Sequence, residues 1–197
     1  MNLIPSALID AALQIAGKNH LSLDYVVIEP NPQGAIIFST DHQRMFIART
    51  YITWDLGQLL IPRSVAAKIA KLKGVVEFGR AAIEGHYRAS AGGMVIEFKG
   101  LLNMPPAWRF VVACPVTSAV SGFDPVMLEG VAKSAGIISK AFGGDSCALS
   151  IAANGNQLAM MVVGDITDPD IKSVTYQVMP KRDCSHEGLF SVGAIKA

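Results

Sequence analysis

The hydrophobic period of this 197-residue chain switches back and forth along its length, and that alternation constrains the fold more than any other feature. Three segments, 5–18, 61–73 and 124–142, place apolar residues at three- and four-residue steps, which keeps one face of a helix apolar. The stripes are Leu8, Ile9, Ala12, Leu13 and Ala16; Val65, Ile69 and Leu72; and Met127, Leu128, Val131, Ala135, Ile138 and Phe142. Punctuation agrees with the pattern. Gly17, Gly74 and Gly143-Gly144 stop the three helices, and Asp124 is an N-cap. Pro62 and Pro125 fall in first turns, where a missing N–H costs nothing. Gly130 and Gly136 weaken the regularity of the third helix. After each helix come β-rich runs: 21–29, 34–39 and 44–52; then 75–79, 82–90 and 93–99; then 147–152, 157–164 and 173–179. Turn residues separate them, among them Pro30 to Gly34, Ala91-Gly92-Gly93, Asn154-Gly155-Asn156 and Asp168-Pro169-Asp170. The expected architecture is α+β: a helix followed by a small antiparallel meander, three times over, in units of about 55–65 residues.

Several function classes are excluded at this stage. A chain that is 51% hydrophobic and 17% charged does not stay disordered. No stretch reaches the roughly 20 apolar residues of a membrane span, and Met1 to Pro5 lack the layout of a signal peptide. Cys114, Cys147 and Cys184 are odd in number and widely spaced, so free thiols in a reducing cytoplasm are expected rather than a disulfide framework. His20, His42, His86 and His186 show no metal-ligand spacing. Ala91-Gly92-Gly93 lacks the lysine and helix of a phosphate loop, and the adjacent pair Asp41-His42 reads as surface polarity on a turn. No catalytic residue, cofactor or metal is expected; the chain reads as a binding protein and not an enzyme.

Three local words then narrow the choice. Thr40-Asp41-His42-Gln43-Arg44-Met45 resembles the Thr-Asp-Gly-His-Arg-Leu turn of the bacterial β sliding clamps of DNA polymerase. Leu60-Ile61-Pro62-Arg63-Ser64 resembles the Val-Pro-Arg-Lys opening of a helix in the middle domain of those clamps. Tyr176-Gln177-Val178-Met179-Pro180-Lys181-Arg182 resembles their closing Tyr-Val-Val-Met-Pro-Met-Arg. The words occur in the family's order and cover most of residues 1–182. The chain departs from the pattern where His42-Gln43 replaces Gly-His and Lys181 replaces the second Met. The resemblance implies the DNA-clamp fold. It implies a complete middle-type domain at 1–112 (two helix–meander units), half of a last-type domain at 120–182 (one unit), and a tail at 183–197, with 113–122 as linker.

What the resemblance implies about function can be set beside the charges. The helical segments hold Lys18, Arg63, Lys68, Lys71, Lys73, Lys133 and Lys140 against Asp10, Asp124 and Glu129; the rest of the chain has more acids than bases. On a clamp these helices line the hole, so the seven cations are the expected DNA-facing set, attracting phosphate without reading sequence. Read without the resemblance, they are ordinary solvated helix faces. The family's partner-peptide cleft maps onto Leu23, Thr40, Arg44, Met45, Met179, Pro180 and Arg182, where adaptable Met side chains accept an apolar anchor. Without the resemblance, Met45 and Met179 are core residues and Thr40-Asp41 a turn. Expected partners are duplex DNA, a polymerase or repair protein bound through a short peptide, and a clamp loader. The alternative is a clamp-like adaptor or decoy that binds such peptides without encircling DNA. Glu187-Gly188-Leu189-Phe190 faintly resembles the Leu-Phe end of clamp-binding peptides. A ring of twelve units built from three-unit chains needs four copies, so a head-to-tail homotetramer is expected first and a trimer second.

Overall fold

The computed structural model describes residues 2–17, 23–101, 123–144, 148–152 and 159–179. The first unit is β1 (Asn2–Pro5), α1 (Ser6–Ile15), β2 (Tyr25–Asn31), β3 (Gly34–Thr40) and β4 (Arg44–Thr50). The second repeats that order: β5 (Leu59–Pro62), α2 (Arg63–Ile69) running into a 3-10 turn at Ala70–Leu72, β6 (Val75–Arg80), β7 (His86–Ala91) and β8 (Met94–Lys99). The third has α3 (Pro125–Phe142), β9 (Leu149–Ala152), β10 (Ala159–Val163) and β11 (Ile171–Val178). The α+β reading holds, as does the three-fold run of helix and meander. The second helix is shorter than its apolar stripe predicted, because its last turn tightens to 3-10 before Lys73 enters the left-handed region at φ 54°.

Two short strands were not expected. Leu3-Ile4-Pro5 and Leu60-Ile61-Pro62 are the same word, and each forms a strand that ends at its proline and leads directly into a helix. Each strand leaves its own unit. β1 pairs antiparallel with β6, and β5 pairs antiparallel with β2, so the first two units exchange their leading strands. The registers match: Leu3 faces Glu77 as Leu60 faces Val27. Four residues are too short to stand alone as strands, which is why the pattern of apolar spacing did not reveal them.

The result is two sheets. One runs β1-β6-β7-β8, the other β5-β2-β3-β4-β11-β10-β9. The seven-stranded sheet joins the first and third units through β4 and β11, so the 1–112 and 120–182 segments share one sheet and one core. Linker 113–122 and tail 183–197 lie outside the described residues. Helix α1 is packed between α2 and α3, and its side chains Leu8, Ile9, Ala12 and Ile15 are fully buried. The main core lies between these helices and the inner sheet faces, with Val26, Ile28, Ile37, Phe46, Val76, Phe78, Met161 and Tyr176 among its members. A second apolar cluster covers the opposite face of β2, β3 and β4: Tyr25, Val27, Ile36, Phe38, Met45, Ile47 and Leu60. Burial on both faces explains why β2 to β4 read as continuous apolar runs, whereas β6 alternates exposed and buried residues.

Candidate nucleic-acid interface and partner cleft

The three helices form a single layer over the sheets, and their outward side is the first candidate surface. Lys68, Lys71 and Lys73 on and after α2, and Lys140 on α3, are exposed and make no ion pair with a described residue. Lys133 is exposed too, but its Nζ lies 2.6 Å from Glu129 one turn earlier, and that contact holds the Glu129 carboxyl below its usual range. Lys18 lies outside the described residues. The central helix α1 turns only Ala7, Asp10 and Gln14 partly outward, and the Gln14 amide donates to the Asp10 carboxylate at 3.1 Å. The layer is thus basic along its α2 flank and at the end of α3, and uncharged to acidic down its middle.

Arg63 does something else. Its Nη1 donates to the carbonyls of Leu13 and Ala16, at 2.9 and 2.7 Å, where the last turn of α1 has unpaired acceptors. A cation there also complements the negative end of the helix. Its Nε is 3.9 Å from Asp24. The guanidinium therefore ties α2 to α1 and, unlike the lysines, has protein partners for its donors.

The second candidate surface is the turn between β3 and β4. Thr40 and Asp41 build it: Thr40 Oγ1 donates to the Arg44 carbonyl at 2.7 Å, and one Asp41 oxygen accepts from the Gln43 and Arg44 amides at 3.1 and 2.7 Å. His42 occupies the position where the resembling motif has glycine, and its φ is 75°. Met179 arrives beside this turn because β11 pairs with β4 up to Val178–Arg44, after which the Met179 amide donates to the Gln43 carbonyl at 2.8 Å. Thr40, Arg44, Met45 and Met179 therefore lie beside one another at the β3–β4 turn. Their exposure differs: Met179 is exposed, whereas Met45 is buried in the outer apolar cluster. Leu23 is buried against Gly17, whose amide reaches both the Leu23 and Thr40 carbonyls at 3.2 Å. Pro180 and Arg182 lie outside the described residues, as does the 187–190 segment.

Arg44 points away from Met179, toward the helices. Its Nε and Nη2 bind the second Asp41 oxygen at 2.9 and 2.6 Å, and its Nη1 donates to the Met127 carbonyl on α3 at 3.2 Å. A Cβ on Gly130 would lie 2.0 Å from that Nη1. The glycine inside α3 is therefore the space through which Arg44 reaches the helix. Around it is a depression of about 380 Å³, with Gln14, Asp41, Arg44, Glu129, Gly130 and Lys133 in its wall. A buried chain of hydroxyls closes the same junction: Tyr176 Oη donates to Ser134 Oγ at 2.9 Å, and Ser134 Oγ donates to the Ala11 carbonyl at 2.8 Å. Burial pushes the Tyr176 phenol well above the ordinary tyrosine range. Sequence reasoning missed Asp41 as the partner of Arg44, and it missed Gly130, Ser134 and Tyr176. Gly130 in an otherwise regular helix was the visible signal; the other contacts cross from one unit to another.

Among the described residues no group of three His, Cys, Asp or Glu side chains is placed to hold a metal ion, and no helix is long and apolar enough to cross a membrane. No protein-family profile and no curated protein sequence matches the chain. Its fold matches solved structures over about nine tenths of the chain. A DNA polymerase sliding clamp from Pseudomonas aeruginosa superposes with a TM-score of 0.67 at 15% identity, over 90% of this chain and 63% of that one. The Bartonella birtlesii sliding clamp (DNA polymerase III subunit beta) bound to griselimycin gives 0.66 at 13%, over 91% and 65%. The Thermotoga maritima beta subunit gives 0.64 at 10%, over 91% and 65%. The chain has the fold of these bacterial sliding clamps and spans just under two thirds of their length.

Proposed function

We propose that this chain acts as a sliding-clamp module, holding a DNA-handling partner on duplex DNA through the outward face of its helix layer. The observation that carries the reading is the layer α2-α1-α3 on one side of a sheet that runs without a break from one unit into another. A row of helices with lysines on its surface suits contact with a phosphate backbone without base recognition. The partner binds beside the β3–β4 turn, where exposed Met179 offers an adaptable apolar anchor for a short peptide. Closure into a ring of several copies completes the proposal, since loose contacts retain DNA only when they surround it.

Replacing Lys68, Lys71, Lys73 and Lys140 with Glu tests the DNA half. Retention on nicked circular DNA is expected to disappear, and the salt dependence of residual binding is expected to fall by up to about one power of salt per lysine removed. Folding is expected to survive, because exposed charges cost little. Undiminished retention in a folded variant removes DNA from the account. Met179→Ala tests the partner half: titration with a short polymerase-tail peptide is expected to weaken by about 1–3 kcal/mol.

The middle of the helix layer favours a second reading. Asp10 and Glu129 stand on the face that would meet phosphate, and Lys133 is paired with Glu129. A clamp-like adaptor or decoy, binding such peptides without encircling DNA, needs no basic face. Peptide binding without any DNA retention by the unaltered protein separates this reading from the first.

A further inference from the structure

Gln177 stands near the end of β11, between Tyr176 and Val178, whose side chains join the main core. Strand alternation therefore turns Gln177 to the opposite face of the sheet, the face of Met45 and the second apolar cluster. The cross-strand register there runs Thr40–Met45–Gln177–Met160. Gln177 is 4% exposed, and its Oε1 is buried with no hydrogen-bond partner among the described residues. An atom in that condition is an exception in a folded protein, because an amide oxygen taken from water without a donor costs free energy. A methionine or leucine at the same place would bury similar surface without that cost.

The four residues around the amide on that face have no donor to give. Met45 and Met160 lie directly across from it, on β4 and β10. Two places away along the chain, on the same side, come Thr175 and Met179. A thioether accepts weakly and donates nothing. The Thr175 hydroxyl is committed to the Ile47 carbonyl at 3.4 Å. Tyr25 Oη, in the same apolar cluster as Met45, is itself buried without a partner among the described residues, so it does not serve Gln177 either.

The amide is also next to the surface already assigned to a partner. Met179 is 44% exposed, and its long unbranched side chain can swing aside while its backbone stays bound to the Gln43 carbonyl. Resting on the reading that a short peptide docks beside the β3–β4 turn, we propose that Gln177 sets the specificity of that docking. The peptide places a side-chain hydroxyl or amide beside its apolar anchor, and that group donates to Gln177 Oε1 between Met45 and Met160. The free chain bears the cost of the unpaired oxygen; a donor relieves it, and an apolar side chain does not. Met179 supplies apolar contact, and Gln177 supplies the requirement for a donor. The partner is thus an apolar anchor flanked by Ser, Thr, Asn or Gln.

The test uses the full chain and synthetic hexapeptides ending in Leu-Phe, with each of the four preceding positions varied in turn. At one of those positions the unaltered protein is expected to prefer Ser, Thr, Asn or Gln over Val, Leu or Met by at least about tenfold in Kd. Gln177→Met, which keeps the length of the side chain and removes its polar atoms, is expected to erase that preference and to leave the need for Leu-Phe intact. The same variant, without peptide, is expected to unfold at a higher urea concentration, because the unpaired oxygen is gone. A glutamine with a purely structural role gives the reverse, so a lowered urea midpoint overturns the proposal. Equal preference for donors in both proteins overturns it too, as does a preference of the unaltered protein for apolar residues at all four positions. If no peptide binds the unaltered protein, the docking reading falls and takes this proposal with it; binding with an unchanged preference removes this proposal alone.

Discussion

The meanders β2-β3-β4 and β6-β7-β8 follow the same path, yet one is buried on both faces and the other on one. Phe38 and Ser90 hold the same place in the two registers; Phe38 is fully buried in the outer cluster, and Ser90 is half-exposed. The difference follows from position. The first meander sits inside a seven-stranded sheet, with β5 on one side and β11 on the other. The second ends, among the described residues, at β8 and needs apolar residues only toward the helices, hence its alternation. Equal folds thus carry unequal shares of the stability.

The largest expected effect tests that inequality. Phe38→Ala should cost about 3–5 kcal/mol in urea unfolding, while Ser90→Ala should stay within about 0.5 kcal/mol. Similar costs would mean that the outer cluster contributes little. Next comes the junction that makes the first meander internal. Ser134→Ala leaves the Tyr176 hydroxyl buried without its acceptor and should cost about 1–3 kcal/mol, and Tyr176→Phe about 1 kcal/mol, since the Ser134–Ala11 bond survives. The same tyrosine sharpens the point through pH. Its folded pKa is raised, so above the unfolded value, near 10, the unfolded chain releases a proton that the folded chain keeps. Its contribution is fully present below pH 10 and is lost as pH rises further; Tyr176→Phe should flatten that alkaline slope.

Smaller effects probe the turn and the helix. His42→Gly should stabilise by a few tenths to about 1 kcal/mol, the left-handed strain being partly offset by glycine's entropy. Gly136→Ala meets nothing within 4 Å and should gain up to about 1 kcal/mol of helix propensity. Gly130→Ala should forfeit that gain, because its methyl must displace Arg44 from the Met127 carbonyl. If both substitutions stabilise equally, Arg44 does not anchor α3.

Much of the local structure was legible in the residues. The helices could be read because amphipathic spacing, a proline in the first turn and a terminal glycine act within a few residues, and the nine meander strands because turn residues bracket them. The motif Thr40 to Met45 and the described part of the word Tyr176 to Arg182 lie on paired strands, β4 and β11. The repeated Leu-Ile-Pro was present but spoke of exchange only once its partners were seen. Tertiary structure decided the rest. Whether Leu3-Ile4-Pro5 pairs with its own meander or the next one depends on contacts seventy or more residues away. Arg63 and Lys68 are both basic residues of one short helix, yet Arg63 meets the end of α1 and Lys68 meets solvent. Charge and spacing are properties of a residue and its neighbours in the chain; what a side chain faces is set by elements that arrive from elsewhere.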